Sequence, residues 1–295
     1  MRQVSPGKDV KVRARRTADT ILTIIQDRGK RKLPLEDVYR PLSNPDMYLR
    51  AYTKLYKNDG AMTPGITEET VDGMSMERMA KIIEAIRHER WQWNPVRRLA
   101  IPKRTGGPRP LGMPTWSEKV VQEVIRPILE AYYEPQFSRY SHGFRPKRGC
   151  QTALTEIYNV WGGTKWFIEG DIKGCFENIA HTILMNILRE NIRDNRFLRL
   201  IAGALKAGDC EAWTSHPSLS GSPQGAIVSP VLSNIYLDRL DRFVQETRIP
   251  EYRQGRQRAG NPAYDRQANQ VSYYRKTGNR ERAEKYAGQC NNVPP

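Results

Sequence analysis

No run of apolar residues in this 295-residue sequence approaches the roughly 20 needed to cross a bilayer, and the opening MRQVSPGKDVKVRARR has no apolar stretch of the kind a secretory signal carries. Neither export nor membrane insertion is expected. Cysteine is scarce: Cys150, Cys175, Cys210 and Cys290 are 25, 35 and 80 positions apart, too far for the spacing of about two to four residues in a zinc finger or redox motif. They are read as reduced cytosolic thiols. His88, His142, His181 and His216 form no i, i+4 pair and have no neighbouring cysteine, so no metal role falls to them. Acidic residues are also in short supply. The 32 Asp+Glu against 48 Lys+Arg leave +16 at pH 7 and a pI near 9.8, which points to a polyanionic partner, nucleic acid first. What is present suffices for a globular core: 38% hydrophobic residues in 34.0 kDa, one large or two ordinary domains.

The excess charge sits at the ends. Residues 1–40 hold 11 Lys+Arg and 5 Asp+Glu, and residues 251–295 hold 9 and 4. The second stretch has almost no Leu, Ile or Phe, so a mobile or partner-ordered segment is expected there. A solvated linker is the plain alternative, but its tyrosines among arginines suit stacking on unpaired bases.

Between the ends, helical and extended patterns alternate. Met79, Ile82, Ile83 and Ile86 make one apolar stripe of a helix ending near Trp91. VRRLAIP and PRPLGMP flank Gly106-Gly107 and read as a hairpin, made basic by Arg97, Arg98, Lys103, Arg104 and Arg109. Thr115 and Glu118 form a capping box ahead of a helix that Pro127 should kink. A helix is expected at about 153–160, then a strand over Trp166-Phe167-Ile168 that ends at Gly170-Asp171, helices at 180–193 and 195–207, a loop at 220–225, and a helix from Ser229-Pro230. Strands and helices mix without regular βαβ order, so the fold class is α+β, helix-rich with short antiparallel sheets.

Four blocks in order resemble the group II intron-encoded proteins, reverse transcriptases that also act as RNA maturases. They are Asn44-Pro45-Asp46 through Thr63-Pro64-Gly65; Ile101-Pro102-Lys103 with Gly107-Pro108-Arg109 and Ser141-His142-Gly143-Phe144-Arg145-Pro146; Gly170-Asp171-Ile172 through Phe176-Glu177-Asn178-Ile179; and Ser222-Pro223-Gln224-Gly225-Ala226 through Asn234-Ile235-Tyr236-Leu237. The likeness runs from about residue 40 to 242, and the basic stretch after 248 is similar to an insertion in organelle-like members. It implies right-hand polymerase fingers over 41–160 and an incomplete palm over 161–248, between a basic extension at 1–40 and a flexible insertion at 249–295. The family's Tyr-Ala-Asp-Asp strand does not occur, and no Asp-Asp pair exists anywhere in the chain. The expectation is an N-terminal fragment of an RNA-directed DNA polymerase, inactive alone, acting as an RNA-binding module in splicing and mobility. A non-enzymatic RNA chaperone fits this stretch, and a retron or diversity-generating reverse transcriptase is the alternative family.

By the resemblance, Asp171 is the catalytic carboxylate and, with the Ile172 carbonyl, a ligand of two Mg²⁺ ions that stabilise the attacking and leaving oxygens. A capping or turn role is the plain alternative for Asp171. Phe176 matches the residue that blocks a nucleotide 2′-hydroxyl, with core packing as its other reading. Lys103 and Arg109 match triphosphate contacts, or else template-backbone contacts. Gln224 and Gly225 match the loop against nucleotide and template base; Ala226 and Glu177 depart from the usual Gly and Asp. RNA binding is assigned to Arg13, Arg15, Arg16, Arg97, Arg98, Phe144, Arg145, Arg148, Arg256 and Arg258, with Phe144 also readable as a core anchor. The implied partners are intron RNA, primer-template, deoxynucleotides and a second copy covering an unfinished sheet. The implied location is a ribonucleoprotein in the bacterial cytoplasm rather than an organelle.

Overall fold

The computed structural model describes residues 16–102, 109–162, 168–211, 214–216, 221, 225–252 and 261–290. Helix α1 (Ala18–Lys30) is N-capped by Thr17, and α2 (Pro45–Tyr56) by Asn44 with proline at its first position. The Asn44-Pro45-Asp46 block also clamps the two helices. Asn44 Nδ2 donates to the Arg16 carbonyl (2.7 Å), and the Asp46 carboxylate accepts from Ala18 N (2.6 Å). Residues 18–30, part of the expected basic extension, therefore belong to the core, with Ala18, Ile25 and Gly29 buried.

Helix α3 (Met76–Arg87) buries the Met79, Ile82, Ile83, Ile86 stripe but stops four residues before Trp91. Glu89 sits at φ +55°, and its N–H and that of Arg90 close back on Ile86 and Ala85, a helix-ending geometry that apolar periodicity does not reveal. Strands β1 (Val96–Ile101) and β2 (Arg109–Met113) form the expected antiparallel hairpin, with Arg97 opposite Met113 and Ile101 opposite Arg109.

Helix α4 (Trp116–Tyr133) is the centre of the core: Val120, Val124, Ile125, Ile128, Leu129 and Tyr132 are all buried. It runs through Pro127 as one helix. Its capping box is present, Glu118 N donating to Thr115 Oγ1 (3.4 Å) and Thr115 N to Glu118 Oε2 (2.9 Å). Glu118 Oε1 also accepts from Asn94 N (2.5 Å), so this carboxylate joins the helix start to the lead-in of β1. Thr115→Ala is expected to lower stability by about 1 kcal/mol, read as a lower urea midpoint at unchanged m-value. Glu118→Ala should cost more, since it strands two backbone donors.

Helices α5 (Cys150–Val160), α6 (His181–Asn191), α7 (Asn195–Lys206) and α8 (Ser229–Phe243) follow, with strands β3 (Asp209–Glu211) and β4 (Thr214–His216) between the last two. The sheet order is β2-β1-β3-β4. β3 and β4 pair antiparallel, but β1 and β3 run parallel through Val96↔Asp209 and Arg97↔Cys210. The expected short antiparallel pairings are present as β1–β2 and β3–β4, and the parallel β1–β3 pairing, which was not expected, joins them into one mixed sheet. The many helical residues between β1 and β3 return the chain in the same direction, the crossover a parallel pair requires.

The expected strand ending at Asp171 does not appear where the chain is described. Trp166 and Phe167 lie outside the described residues, and Ile168 to Asp171 have no strand pairing, with Ile168 94% exposed. A strand persists only when a neighbour completes its hydrogen bonds, and no described strand flanks this segment.

Residues 242–295 form a separate compact unit. A π-helical turn (Val244–Arg248) leads into α9 (Ile249–Tyr252), and α10 (Pro262–Lys276) and α11 (Arg280–Cys290) make a helical hairpin. The stretch expected to be flexible is thus helical over 262–276 and 280–290. Val271 and Ala283 are buried in it, and Tyr274 stacks on Tyr286 at 5.6 Å and 5°. Good helix formers and aromatic contacts here take the place of Leu, Ile and Phe. Among the described residues no helix is long and apolar enough to cross a membrane.

Candidate active site

Asp171 and Ile172 are exposed, and the chain then turns tightly over residues 173–178. Glu177 N and Asn178 N both donate to the Gly174 carbonyl (3.0 Å each), and Gly174 adopts φ +58°. A Cβ there would lie 3.0 Å from Asn178 Nδ2, so both conformation and space favour glycine. The turn leaves Asp171 in solvent and brings Phe176 to half burial, its ring 5.9 Å edge-on from Phe144. Phe144 is 66% exposed, at φ +55°. The edge contact joins two blocks 32 positions apart.

The loop block meets the same place. Gly221 N donates to the Ile179 carbonyl (2.8 Å), and His181 Nε2 donates to the Gly221 carbonyl (2.5 Å). Gly221 has φ +92°, and a Cβ on it would stand 2.8 Å from the Glu177 carbonyl oxygen. Gly225, at φ +103°, would place a Cβ 2.6 Å from the Gly112 carbonyl oxygen of β2. What lies against Gly225 is thus the β2 backbone. Gln122, buried on α4, secures the far side of the loop by accepting from Ile227 N (2.8 Å) and Val228 N (3.4 Å). Asn234 Nδ2 on α8 donates to the Gly143 carbonyl (2.9 Å), and Cys175 Sγ lies 3.7 Å from Ser233 Oγ. Gln122, His181, Gly221 and Asn234 were missed by sequence reasoning. Nothing in residue type or spacing marks these contacts, since each is made to a backbone group 40 or more positions away.

The cations divide. Arg145 is buried: it pairs with Glu134 at 2.8 Å, donates to the carbonyls of Ser138 (2.6 Å) and Ser141 (2.8 Å), and lies over the Phe137 ring at 5.3 Å. Every nitrogen of its guanidinium has a partner inside the protein, which gives this arginine a structural role in joining residues 134–145. Arg148 is half-buried, donating to the Arg139 carbonyl (2.6 Å). Arg97 is half-buried with its Nε shielded, while Arg98 and Arg16 are exposed. Burial, and secondarily the Arg97 guanidinium, push the Lys119 ammonium below the ordinary lysine range. Lys119 Nζ donates to the Gly60 (3.2 Å) and Thr63 (2.9 Å) carbonyls, tying the Thr63-Pro64-Gly65 block to α4. Arg109 is placed by its pairing with Ile101. Lys103, Gln224, Arg13, Arg15, Arg256 and Arg258 lie outside the described residues.

No group of three His, Cys, Asp or Glu that could hold a metal ion occurs among the described residues. Asp171 alone contributes a carboxylate and Ile172 a carbonyl, a donor set that does not fit two Mg²⁺ ions, which need several oxygens in fixed geometry.

A protein-family model, "Reverse transcriptase (RNA-dependent DNA polymerase)", matches residues 101–256, the segment carrying this convergence. The chain belongs to the reverse transcriptase family, in its group II intron-encoded branch. It is 47% identical over 229 residues to the group II intron-encoded protein LtrA of Lactococcus lactis subsp. cremoris, covering 74% of this chain and 38% of that protein. It is 47% identical over 204 residues to an uncharacterised 91 kDa protein in the cob intron of Schizosaccharomyces pombe, covering 69% of this chain and 25% of that one. Among solved structures, a partial Cas6-RT-Cas1–Cas2 complex aligns with a TM-score of 0.44 at 21% identity, over 70% of this chain and 34% of that one. The chain spans less than two fifths of the length of these curated relatives. They do not favour the retron or diversity-generating alternative.

Proposed function

We propose that these residues are the fingers and part of the palm of a group II intron-encoded RNA-directed DNA polymerase that also binds its intron RNA and assists splicing and mobility. The observation that carries the reading is the meeting of the motif blocks. The Asp171–Ile179 turn, Gly221, Gly225, strand β2 and Phe144 are linked by Gly221 to Ile179, Gly225 to Gly112 and Phe176 to Phe144. Residues so joined can hold a nucleotide-sized object between a turn bearing one carboxylate and a basic hairpin. Asp171, with the Ile172 carbonyl, is this chain's share of a two-Mg²⁺ site, and the remaining carboxylates have to be supplied from outside these residues. In this reading Phe176 senses the nucleotide sugar, and Lys103, Arg109, Gln224 and Gly225 contact the triphosphate and template base. A ribonucleoprotein in the bacterial cytoplasm is the proposed setting.

The net charge of +16 supports RNA binding by backbone contact. Residues 1–295 are expected to bind intron RNA with log affinity falling linearly in log salt, by about 0.7 per contacted phosphate of single strand. They should show no primer extension, because one carboxylate cannot complete the metal site. Filter binding across a salt series and a primer-extension gel check both. A flat salt profile, or DNA made by residues 1–295, would overturn the reading.

A further inference from the structure

The C-terminal hairpin presents a face that the candidate site does not use. Arg266, Asn269, Tyr273 and Lys276 stand at i, i+3, i+7 and i+10 of α10, so they share one stripe opposite the buried Val271, and all four are exposed. Tyr274, Tyr286 and Arg282 are engaged with one another inside the hairpin: the two rings stack, and the guanidinium lies 5.6 Å from the Tyr274 centroid. Tyr273 packs its edge on Tyr274, with ring centroids 5.3 Å apart at 76°, and remains 60% exposed. Its orientation is thus set before any ligand arrives, which lowers the entropy lost on binding. Among the described residues, Arg266, Arg275, Lys276, Arg280 and Lys285 have no acidic partner. The hairpin's six cations face three acids, Asp265, Glu281 and Glu284.

We propose that this stripe is a binding site for an unpaired nucleic-acid strand: one base stacks on Tyr273, Asn269 offers hydrogen bonds to a base edge, and Arg266 and Lys276 take the flanking phosphates. It deepens the RNA-binding reading above and rests on it. The occupant follows from charge and ring together. Cations alone suit any polyanion, but a preset, exposed tyrosine between two of them suits a strand whose bases are free to stack, and a duplex keeps its bases stacked internally. Of the other tyrosines in this basic stretch, Tyr274 and Tyr286 are already engaged with each other and Tyr264 is half-buried, while Tyr252 is exposed on α9.

The test uses the full 295-residue chain with fluorescently labelled unstructured RNA, the matching DNA strand, and an RNA duplex of equal length, read by anisotropy. Tyr273→Leu should weaken binding to the single strand about fivefold or more, and leave the duplex unchanged. Tyr273→Phe should restore binding, and joint Arg266→Gln and Lys276→Gln should reduce the salt slope by about 1.4, two phosphate contacts' worth. Equal losses on RNA and DNA strands support a site for any unpaired strand, and loss on RNA alone assigns it to RNA. Circular dichroism checks that the hairpin stays helical; if leucine unfolds it, the Phe variant and the charge pair still decide. Unchanged single-strand affinity in folded Tyr273→Leu, or an equal loss on the duplex, overturns the proposal. Neither result touches primer extension by the complete protein, so this site and the polymerase reading fail separately.

Discussion

Replacing Asp171 by asparagine in the complete protein is expected to bring DNA synthesis below detection while RNA affinity and thermal stability stay at the parent's values. Asp171 is exposed, and among the described residues it accepts no hydrogen bond and enters no ion pair. The turn that follows is held by the Gly174 carbonyl and by Asn178 Nδ2 to the Lys173 carbonyl (2.9 Å), neither of which involves the Asp171 side chain. An exposed carboxylate with no internal partner should change stability by less than about 0.5 kcal/mol when made neutral and isosteric. A carboxylate that ligates catalytic metal has no substitute in an amide, which carries no charge to hold the ion. Thermal melts, RNA binding and primer extension on one preparation separate the two roles. The assignment would be falsified by near-normal extension in the Asn variant, and a parallel fall in melting temperature would make Asp171 a turn residue instead.

The second large effect concerns stability. Arg145→Ala should cost on the order of 3 kcal/mol, the usual consequence of deleting one partner of a buried ion pair. Its side chain is 4% exposed, against 25% for Glu134. Its loss also removes one donor each from the Ser138 and Ser141 carbonyls and leaves the Glu134 carboxylate without its guanidinium. Thermal denaturation should shift by several degrees, and the folded protein should bind RNA as before. Retained stability with weakened RNA binding would return Arg145 to the template-gripping role its motif suggests. Arg98, exposed on β1, gives the contrast: its replacement by glutamine should leave melting nearly unchanged and shallow the salt dependence of RNA binding.

Arg145 also shows why part of the site was hidden in the sequence. A motif specifies an arginine near a phenylalanine, and the same two residue types serve a nucleic acid or a helix end equally well. The outcome depends on Glu134, eleven positions back, and on where the 138–141 carbonyls point. Phe176 read as a sugar-facing or a core ring, and its contact with Phe144 was not legible, because their approach depends on the folding of everything between. Gln122 was invisible for the same reason: an amide on an apolar helix face reads as an exception until the Ile227 and Val228 N–H groups are found above it.

What the sequence determined by itself was local or compositional. The α3 stripe, the Thr115/Glu118 box, the basic hairpin, the order of the four blocks and the nucleic-acid bias of a +16 chain all follow from periodicity, capping chemistry and charge, which act over a few residues or over the whole composition. The tertiary structure alone decided four things: that β1 and β3 pair in parallel, that residues 168–171 carry no strand, that α10 and α11 pack through tyrosines, and that Gly221 lies against Glu177 and Gly225 against β2. Each depends on hydrogen bonds or close approaches between residues far apart in the chain. A backbone N–H or carbonyl is identical at every position, so the sequence carries no mark of which distant partner will satisfy it.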